Sequence, residues 1–485
     1  MRLEDIIKGL DPVECRGEKG VEIVSLTQDS RAAAPGSLFV AVKGFSSDGH
    51  AYIGKAVGAG AVAVIYDDPS AVIPEGVAAV RVADSRRALA LAADAFYGHP
   101  SQKLTLVGIT GTNGKTTTVT LLHEVFTKLG YSCGLLSTIA NFVGSRRTET
   151  TNTTSDPLTI NRLLAEMVEE GCEYCFMEVS SIGLEQDRVF GLRFKAAIFS
   201  NLTHDHLDYH KTFAEYLRCK KLFFDNLAPD ALAITNTDDR NGLVMLQNTV
   251  AKPVTYAVKG LAGHTCRIVE EGFDGMLLRI DGKEVWVRLI GAHNAYNLLA
   301  VYVTAVELGA DPDEVLVAIS EAGCVKGRLE VMRGPRGIAA IIDYAHTPDA
   351  LENVLKTLRE TACDKQLVCL FGCGGDRDRT KRPEMAAVAE KYADRIVVTS
   401  DNSRTEKTSD IIAEIRTGFS PKGLAKSLFI EDRKEAIRTA IMTAQDGAAV
   451  LLAGKGHETY QITGTEKKHF DEREILSEVF KEAEI

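Results

Sequence analysis

The sequence predicts an α/β protein of three domains, and three observations lead to this prediction. The chain has 485 residues, which at about 150 residues per domain corresponds to roughly three domains. Short apolar segments alternate with segments of helical periodicity, as in mostly parallel sheets that carry helices on both faces. A turn signal at residues 98–100 and a second break between residues 328 and 343 divide this alternation. We therefore predict domains at residues 1–101, 102–330 and 331–485.

The first predicted domain is a small α/β domain. Its apolar segments SLFVAV, AVAVIY and AAVRVA are strand candidates, and the alanine-rich segments among them have helical character. The turn signal Gly98-His99-Pro100 marks a linker at its end.

The second predicted domain is organised around the segment LTLVGITGTNGKTTT. The apolar run 104–109 suits a buried parallel strand, and the segment after Lys115 has a helical spacing that stops at Gly130. Further strand candidates are CEYCFMEV, AAIFSN and ALAITN. These features predict a central P-loop-type, mostly parallel sheet with helices on both faces. Its ligand is expected outside the carboxyl ends of the strands.

The pattern changes twice in the rest of the chain. After Gly260, the segment GMLLRIDGKEVWVRLI has the alternation of antiparallel strands and precedes a helix at GAHNAYNLLAVYVTAVEL. From Gly337 onward, the strand candidates IAAIID, QLVCLFG, RIVVTS and AVLLAG alternate with helical segments. The third domain is therefore predicted to be a Rossmann-like α/β domain.

The composition narrows the range of partners. The net charge of −11 and the lack of a clustered Lys/Arg tract argue against nucleic acid or an anionic membrane as the main partner. The N-terminal segment MRLEDIIKGL lacks the long apolar run of a signal peptide or a membrane span. Ten scattered cysteines are typical of reduced cytosolic thiols. We expect a cytoplasmic monomer that binds small anionic molecules and concentrates its positive charge locally.

The glycine-rich loop indicates phosphate binding. Gly111 and Gly114 let the backbone approach phosphate oxygens, and the helix that follows offers free N–H groups and the positive end of its dipole. Lys115 is expected to neutralise the β and γ phosphates, and Thr116 to bind Mg²⁺. The pattern G-x-x-x-x-G-K-[ST] is not met, because residue 109 is Ile and the shorter G-x-x-G-K-T-T stands here.

Two further segments contain candidate metal ligands. Glu178 ends a predicted strand, where its carboxylate can reach Mg²⁺ at the phosphate loop. The segment NLTHDHLDYH brings His204, His206, Asp208 and His210 close together, near the H-x-H-x-D-H spacing of zinc hydrolases. The last histidine comes one residue late for that spacing, and a zinc hydrolase does not need a phosphate loop. Magnesium is therefore favoured, with zinc as the alternative.

These motifs resemble those of one family. The loop TGTNGKTTT is similar to the ATP loop of the Mur ligases and of their folylpolyglutamate synthase relatives, which join an amino acid to a carboxylate. Glu178, S-x-G-x-x-Q-x-R, N-x-T-x-D-H-L-D and the C-terminal segments follow in the Mur ligase order over nearly the whole chain. In the first domain, QDSRAAAPGSLFVAVKGFSSDGH resembles the segment that binds uridine diphosphate, with Ser30 and residues 45–47 as contacts.

The resemblance implies distinct sets of site residues. The ATP-binding set is Gly111, Thr112, Asn113, Gly114, Lys115, Thr116, Thr117, Asn294, Asn297, Arg328 and Asp343. The set for the UDP-linked substrate is Ser30, Asn152, Thr153, Thr154, Ser180, Gln186 and Arg188. The set for the incoming amino acid is Arg377, Asp401, Asn402, Ser403, Arg404, Gly454 and Glu458. The metal set is Thr116, Glu178, His206 and Lys220, and the catalytic set is Lys115, Lys220, His206 and Arg328.

Two basic residues in these sets have a physical rationale of their own. Lys220 stands where these ligases carry a carbamylated lysine. An ammonium group beside Mg²⁺ would repel it, whereas reaction with CO₂ turns the cation into an anion that supplies oxygen ligands. Lys221 is the competing candidate, disfavoured by its spacing. Arg188 can clamp a carboxylate or a diphosphate through a guanidinium that makes two parallel hydrogen bonds.

The resemblance implies an ATP-dependent, ADP-forming ligase that adds the third peptide residue to UDP-N-acetylmuramoyl-L-alanyl-D-glutamate in peptidoglycan precursor synthesis. The segment TSDNSRTE resembles the D-N-P-R motif of diaminopimelate-adding members, with Ser403 in place of Pro. Arg404 and Arg377 can read the extra carboxylate of meso-diaminopimelate, and Glu458 can take its distal ammonium. The alternatives are an L-lysine-adding ligase, a folylpolyglutamate synthase-like ligase, which lacks a uridine-binding first domain, and a non-enzymatic ATP-switched binding module.

Overall fold

The computed structural model describes residues 1–44, 47–150, 152–203, 210, 212–362 and 364–483. These residues form two compact units. The first contains Met1–Leu202 and continues to Tyr256, and the second runs from Ala257 onward. The first unit therefore holds both the predicted first domain and the phosphate loop. The boundaries predicted at residues 101 and 330 stay predictions.

The first unit begins with a five-stranded sheet in the order β1-β5-β4-β3-β2. Its strands are β1 (Glu14–Arg16), β2 (Ser25–Thr27), β3 (Ser37–Val40), β4 (Ala61–Tyr66) and β5 (Ala78–Arg81). β1 pairs antiparallel with β5, and the other neighbours are parallel. The three apolar segments predicted as strands form its centre, where Leu38, Val64 and Val80 are buried.

A larger sheet follows in the same unit, with its strands in the order β13-β12-β11-β6-β10-β7-β8-β9. They are β6 (Thr105–Thr110), β7 (Cys133–Leu136), β8 (Asn141–Val143), β9 (Arg146–Thr148), β10 (Tyr174–Glu178), β11 (Ala196–Phe199), β12 (Leu232–Asn236) and β13 (Lys252–Ala257). From β13 to β7 the pairing is parallel, and β8 and β9 add an antiparallel edge. The predicted mostly parallel central sheet is confirmed.

The register of this sheet positions the candidate site. β6, β10 and β11 are almost entirely buried, as expected of apolar strands covered on both faces. Glu178 is the register partner of Ile109, and Phe199 is the partner of Thr110. The carboxyl ends of β10 and β11 therefore lie beside the start of the phosphate loop.

The second unit opens with the antiparallel strands β14 (His264–Gly272), β15 (Gly275–Ile280) and β16 (Lys283–Val287). It continues with a six-stranded sheet in the order β17-β18-β22-β19-β20-β21. These strands are β17 (Glu330–Arg333), β18 (Ala339–Asp343), β19 (Leu367–Phe371), β20 (Arg395–Val398), β21 (Ser427–Phe429) and β22 (Ala449–Ala453). A hairpin of β23 (Tyr460–Thr463) and β24 (Glu466–His469) follows.

The six-stranded sheet has a core on each face. Ile341 and Leu451 belong to one cluster of buried residues, whereas their chain neighbours Ile342 and Leu452 belong to another. Successive side chains of a strand point to opposite faces, so helices cover this sheet on both sides. The Rossmann-like prediction is confirmed, although the antiparallel edge strand β17 and the β23–β24 hairpin were not predicted.

Helices of varied length connect the strands. They are Leu3–Ile7, Ile53–Gly58, Ser85–Phe96, Lys115–Lys128, Pro157–Glu169, Ser181–Glu185, Phe213–Asp225, Gly242–Met245, Ala292–Glu307, Pro312–Glu321, Pro348–Ala362, Lys381–Tyr392, Thr408–Arg416, Pro421–Ala425, Arg433–Met442 and Glu472–Ala483. Short 3-10 helices lie at Gly49–Tyr52, Pro100–Gln102 and Pro335–Gly337. Within the described ranges, none of the helices combines the length and the apolarity that crossing a membrane requires.

Candidate active site

The phosphate-binding loop connects β6 to the helix Lys115–Lys128, as the sequence predicts. Gly111 in this loop has a φ of 155°. A Cβ added there would lie 1.9 Å from Oγ of Ser200, which follows β11. A side chain at residue 111 would therefore displace Ser200. Glycine is required here both because Ser200 lies so close and because of the positive φ.

Residues after β11 hold the loop in place. The backbone N–H of Thr112 donates to the carbonyl of Asn201 at 2.8 Å, and that of Asn113 donates to Oδ1 of Asn201 at 3.0 Å. Oγ of Ser200 donates to the carbonyl of Asn113 at 2.7 Å. The sequence reasoning did not select Ser200 or Asn201, although both belong to the segment FSNLT that follows a predicted strand.

Two lysines converge on one carbonyl of the loop. Nζ of Lys115 donates to the carbonyls of Gly111 and Thr112, both at 2.9 Å. Nζ of Lys220 donates to the same Gly111 carbonyl at 2.8 Å and is 1% exposed as a residue. It also lies 4.6 Å from the centre of the Tyr216 ring, whose hydroxyl is 3.1 Å from Oγ1 of Thr112. Lys220 is therefore inside the phosphate-loop site, whereas Lys221 is engaged with Asp225.

Oxygen atoms suited to Mg²⁺ lie at the end of β10. Oγ1 of Thr116 donates to Oε2 of Glu178 at 3.0 Å, and the backbone N–H of Thr138 donates to Oε1 at 2.7 Å. A hydroxyl and a carboxylate at the first turn of the phosphate-loop helix fit the preference of Mg²⁺ for oxygen ligands. His206, the remaining predicted metal ligand, lies outside the described residues, as do His204 and Asp208.

His210 makes contacts that oppose a role in zinc binding. Its Nε2 lies 2.8 Å from Oγ of Ser181, and its Nδ1 lies 3.8 Å from Sγ of Cys219. The residue is buried, with its ring 5.1 Å from that of Tyr216. Both ring nitrogens thus have partners in the protein, and His210 offers neither of them to a metal.

Thr154 connects several of the predicted contacts of the UDP-linked substrate. Its Oγ1 donates to the carbonyl of Glu178 at 2.9 Å and accepts the backbone N–H of Ser180 at 2.9 Å. Its carbonyl accepts Nη1 of Arg188 at 2.6 Å, and Gln186 Oε1 accepts both Nε and Nη2 of Arg188. The guanidinium of Arg188 is therefore oriented by two neighbours before any ligand arrives.

A cleft in the first unit has a volume of about 210 Å³. Predicted substrate contacts line it together with residues that the sequence reasoning did not select. The lining consists of Gln28, Val42, Lys43, Gly44, Arg86, Leu89, Asn152, Asp156, Pro157, Gln186 and Arg188. Ser30 is buried and does not line the cleft, and residues 45 and 46 lie outside the described part of the chain. Lys43, Arg86 and Arg188 provide the local positive charge that the acidic composition led us to expect.

Arg86 is held at this cleft by a chain of contacts. Its Nη2 donates to the carbonyl of Lys43 at 2.9 Å. The preceding residue, Ser85, donates its backbone N–H to Oδ2 of Asp67 at 2.9 Å. His50 in turn lies 3.0 Å from Asp67 and 2.6 Å from Asp48. The position of Arg86 is thus coupled to the segment that contains Lys43.

Two further residues of the predicted ATP-binding set, Arg328 and Asp343, lie next to Tyr344 in the second unit. The guanidinium carbon of Arg328 lies 5.0 Å from the centre of the Tyr344 ring. Asp343 ends β18 and accepts the backbone N–H groups of Leu329 and Ala345, both at 2.8 Å. Burial raises the pKa of Asp343, and the charge of Arg328 opposes this rise.

Two asparagines of the predicted ATP-binding set, Asn294 and Asn297, lie at the start of the helix Ala292–Glu307. Nδ2 of Asn294 donates to the carbonyl of Ile290 at 2.8 Å, and Nδ2 of Asn297 donates to Oδ1 of Asn294 at 2.9 Å. Both residues are buried. The structure thus places these two asparagines side by side, in the same unit as Arg328 and Asp343.

The predicted amino-acid residues meet where β20 and β22 end. Asp401 is buried, and a Cβ on Gly454 would lie 2.7 Å from its Oδ2, so that glycine leaves room for this carboxylate. Burial favours a raised pKa for Asp401, but Lys455 and Arg433 lower it below the usual value. Nδ2 of Asn402 donates to Oε2 of Glu458 at 2.9 Å.

Arg404 and Arg377 both approach Gly374. A Cβ on that glycine would be 3.0 Å from Nη1 of Arg404 and 3.8 Å from Cγ of Arg377. Nη1 of Arg404 donates to the carbonyl of Gly375 at 2.9 Å, and its backbone has a φ of 49°. Ser403, which replaces the proline of the motif, is buried. Arg377 is exposed, so the better fixed of the two guanidinium groups is that of Arg404.

Family models match three parts of the chain. The model for the Mur ligase family catalytic domain matches residues 22–97, the Mur ligase middle domain matches residues 109–305, and the Mur ligase glutamate ligase domain matches residues 327–456. A structure of a UDP-N-acetylmuramoyl-L-alanyl-D-glutamate–2,6-diaminopimelate ligase aligns with a TM-score of 0.73 and 29% identity, over 100% of this chain and 99% of that one.

Relatives with curated names match over the full length. The UDP-N-acetylmuramoyl-L-alanyl-D-glutamate–2,6-diaminopimelate ligase of Parabacteroides distasonis is 49% identical over 481 residues, which covers 99% of each chain. A protein of the same name from Clostridioides difficile is 40% identical over 486 residues, again 99% of each chain. The phosphate loop, the Thr116–Glu178 pair and the pocket around Asn402 thus occur in a chain that aligns with these ligases from end to end. The chain belongs to the Mur ligase family.

Proposed function

We propose that the protein joins meso-diaminopimelate to UDP-N-acetylmuramoyl-L-alanyl-D-glutamate in an ATP-dependent reaction that forms ADP, as a step of peptidoglycan precursor synthesis. The terminal phosphoryl group of ATP is transferred to one of the two carboxylates of the D-glutamyl residue, which releases ADP. The amine of the added amino acid then attacks the acyl phosphate, and the tetrahedral intermediate expels phosphate. The new bond is an amide.

The cleft lined by Arg86 and Arg188 supports a role in binding the UDP-linked substrate. This substrate carries a diphosphate and a peptide carboxylate, and arginine pairs with both groups through two parallel hydrogen bonds. Arg188 is already oriented by Gln186 and Thr154, which lowers the cost of ordering it when the ligand binds. We assign the diphosphate to the side of the cleft formed by Lys43 and Arg86, and the peptide to the side of Arg188.

The residues around Gly111 support the transfer of the phosphoryl group. Lys115 exchanges its backbone carbonyl partners for phosphate oxygens and neutralises the charge that develops on the transferred group. Thr116 and Glu178 would hold Mg²⁺, joined by His206 and by Lys220 as a carbamate. When bound, Mg²⁺ would supply further neutralisation of phosphate charge. Arg328, Asp343, Asn294 and Asn297 keep their proposed roles in binding ATP.

One observation supports the choice of diaminopimelate: Asn402 lies between the guanidinium group of Arg404 and the carboxylate of Glu458. Nη1 of Arg404 approaches the Asn402 carbonyl at 3.4 Å, and Nδ2 of Asn402 donates to Glu458. Diaminopimelate has a carboxylate and an ammonium at its distal end, whereas lysine has the ammonium alone. A site built to pair a charged group rejects the ligand that lacks it, in favourable cases by about 10⁴-fold or more.

A competition assay tests the proposed function. Purified protein receives ATP, the UDP-linked dipeptide and equal concentrations of diaminopimelate and L-lysine, and the products are separated by mass. We expect a diaminopimelate product and phosphate release that requires both the dipeptide and an amino acid. A lysine product would establish the lysine-adding alternative. Folate-dependent release would establish the folylpolyglutamate synthase-like one, and release without an acceptor would favour an ATP-switched module.

A folylpolyglutamate synthase of Mycobacterium tuberculosis aligns over 76% of this chain and 92% of its own, with a TM-score of 0.61 and 19% identity. This likeness shows a shared fold and no more. We favour the reaction on the UDP-linked dipeptide, because the sheet β1–β5 contributes Lys43 and Arg86 to the proposed substrate cleft through the segments beside it. We further propose that the enzyme acts as a cytoplasmic monomer. The cysteines of the described residues are free thiols, in keeping with a reducing compartment.

A further inference from the structure

Lys455 is a buried cation for which the proposed reaction has no use. It follows Gly454 at the end of β22 and is 0% exposed. Its ammonium group has three N–H donors, and three acceptors surround it. These acceptors are the carbonyl of Tyr460 at 2.7 Å, Oδ1 of Asn402 at 3.2 Å and Oε2 of Glu458 at 3.4 Å. Because its donors are all engaged, Lys455 has no donor left to bind a substrate.

The partners of Lys455 belong to three segments of the chain that its ammonium group connects. Asn402 follows β20, Glu458 lies in the loop after β22, and Tyr460 begins β23. Oδ1 of Asn402 also accepts the backbone N–H of Ile462 at 2.9 Å. With both acceptor positions on Oδ1 filled, the amide must turn Nδ2 toward Glu458, where the observed distance is 2.9 Å.

We propose that Lys455 is the positioning residue of the amino-acid pocket, which fixes the Asn402 amide and the Glu458 carboxylate so that Glu458 presents its Oε1 to the ammonium group of the incoming amino acid. Oε2 is occupied by Asn402 and Lys455, whereas Oε1 forms no hydrogen bond within the part of the chain that the structure describes. A carboxylate held on one oxygen and open on the other is ready to accept a cation. This inference rests on the proposed function.

The charges around the pocket favour a ligand with a positively charged group. The described cluster around Lys455 contains three carboxylates, those of Asp401, Glu458 and Glu472, and two cations, Lys455 and Arg433, while Arg404 approaches the backbone carbonyl of Asn402. Burial raises the pKa of Glu458, and Lys455 acts in the opposite direction. Asp401 also faces Glu458 and raises its pKa, and Tyr344 lies close enough for Glu458 to raise the pKa of its hydroxyl. Lys455 therefore favours the ionised form of Glu458 and also orients its carboxylate.

The test combines Lys455→Met with Glu458→Gln. Lys455→Met should raise KM for diaminopimelate by about 10-fold or more, as expected for loss of a charged hydrogen-bond partner. KM for ATP and for the UDP-linked dipeptide should stay within about two-fold. In the Glu458→Gln background, Lys455→Met should add less than about two-fold, because its effect passes through Glu458. Lys426→Met is the matched control, since its ammonium bonds the carbonyls of Glu390 and Ala393.

The pH profile distinguishes positioning from general damage. Without Lys455, the pKa of Glu458 rises further, so KM for diaminopimelate should fall more steeply with increasing pH in Lys455→Met than in the wild type. Glu458→Gln should abolish that pH dependence. If Lys455 only stabilises the fold, Lys455→Met should leave the pH profile unchanged. It should then raise KM for diaminopimelate, for ATP and for the UDP-linked dipeptide together. If Lys455→Met does not fold, Lys455→Gln keeps an amide donor for Asn402 and serves in its place, with the same double-variant test.

Two results would overturn the inference. The first is an unchanged KM for diaminopimelate in a folded Lys455 variant, and the second is full additivity of the Lys455 and Glu458 changes. Failure of the proposed function looks different, because the wild-type enzyme itself would then show no saturable dependence on diaminopimelate.

Discussion

The phosphate loop and the proposed amino-acid pocket are held together by different kinds of chemical group. Besides Lys115 and Lys220, the groups that hold the loop are backbone groups and neutral side chains, among them Asn201, Ser200 and Tyr216. The pocket is held by buried charges, namely Lys455 and Glu458 beside Asp401 and Arg433. A polyphosphate brings its own high charge, and in the proposed reaction Lys115 exchanges its carbonyl partners for the phosphate oxygens. An amino acid with charges at both ends instead meets charges that are already in place, and this arrangement favours selectivity.

Lys115→Ala should have the largest effect on the loop side. Loss of the cation that neutralises the transferred phosphoryl group should lower kcat/KM by about 10³-fold or more. The fold should persist, because the contacts of Asn201 and Ser200 remain. Steady-state phosphate release and circular dichroism check both points. If the activity stays within about ten-fold of wild type, Lys115 does not stabilise the transferred phosphoryl group.

Lys220→Ala should be the next most severe change. If the lysine works as a carbamate, its loss removes oxygen ligands that no neighbour replaces, and activity should fall by about 10²-fold or more. Acetate or formate should restore part of it by entering the space of the missing group. Lys221→Ala, whose ammonium pairs with Asp225, is the matched control and should stay close to wild type. An active Lys220→Ala variant without added carboxylate contradicts the proposal.

Arg404→Ala tests the pocket side of the comparison. The variant leaves the distal carboxylate of diaminopimelate without its charged partner, which costs roughly 2–5 kcal/mol and should lower kcat/KM for this amino acid by about 30-fold or more. The rate with L-lysine should change less, and KM for ATP should be little altered. Equal losses for both amino acids would show that Arg404 does not read the extra carboxylate.

Arg86→Gln should have the smallest effect, because the residue is half-buried and solvent screens part of its charge. We expect KM for the UDP-linked dipeptide to rise by about 10-fold, as for loss of one charged hydrogen bond. Binding of UDP should weaken while binding of uridine stays unchanged, as measured by calorimetry. Arg87→Gln is the control, since Arg87 does not line the cleft and pairs with Asp187. If both variants bind UDP with similar affinity, the diphosphate does not bind at Arg86.

The sequence predicted what short-range patterns determine. Apolar runs marked the central strands of each sheet, and the position of Glu178 at a strand end predicted its place beside the loop, where Thr116 now bonds it at 3.0 Å. The sequence did not reveal Tyr216, Arg86 or Lys455. These residues have partners far away along the chain; the hydroxyl of Tyr216, for example, lies 3.1 Å from Oγ1 of Thr112, which is 104 residues earlier. The antiparallel edge β17 and the hairpin β23–β24 were missed because short, partly exposed strands have little apolar periodicity.

The carbonyl oxygen of Gly111 has two lone pairs, and the ammonium groups of Lys115 and Lys220 both point to it. The Gly111 carbonyl therefore has a second hydrogen-bond donor if one of the two is lost. When one of the two lysines is replaced, the ammonium group of the other still donates to this buried oxygen, so the substitution does not leave a buried carbonyl without a partner. A single substitution of either lysine therefore reports on chemistry, whereas removal of both together would report on the loss of the loop itself.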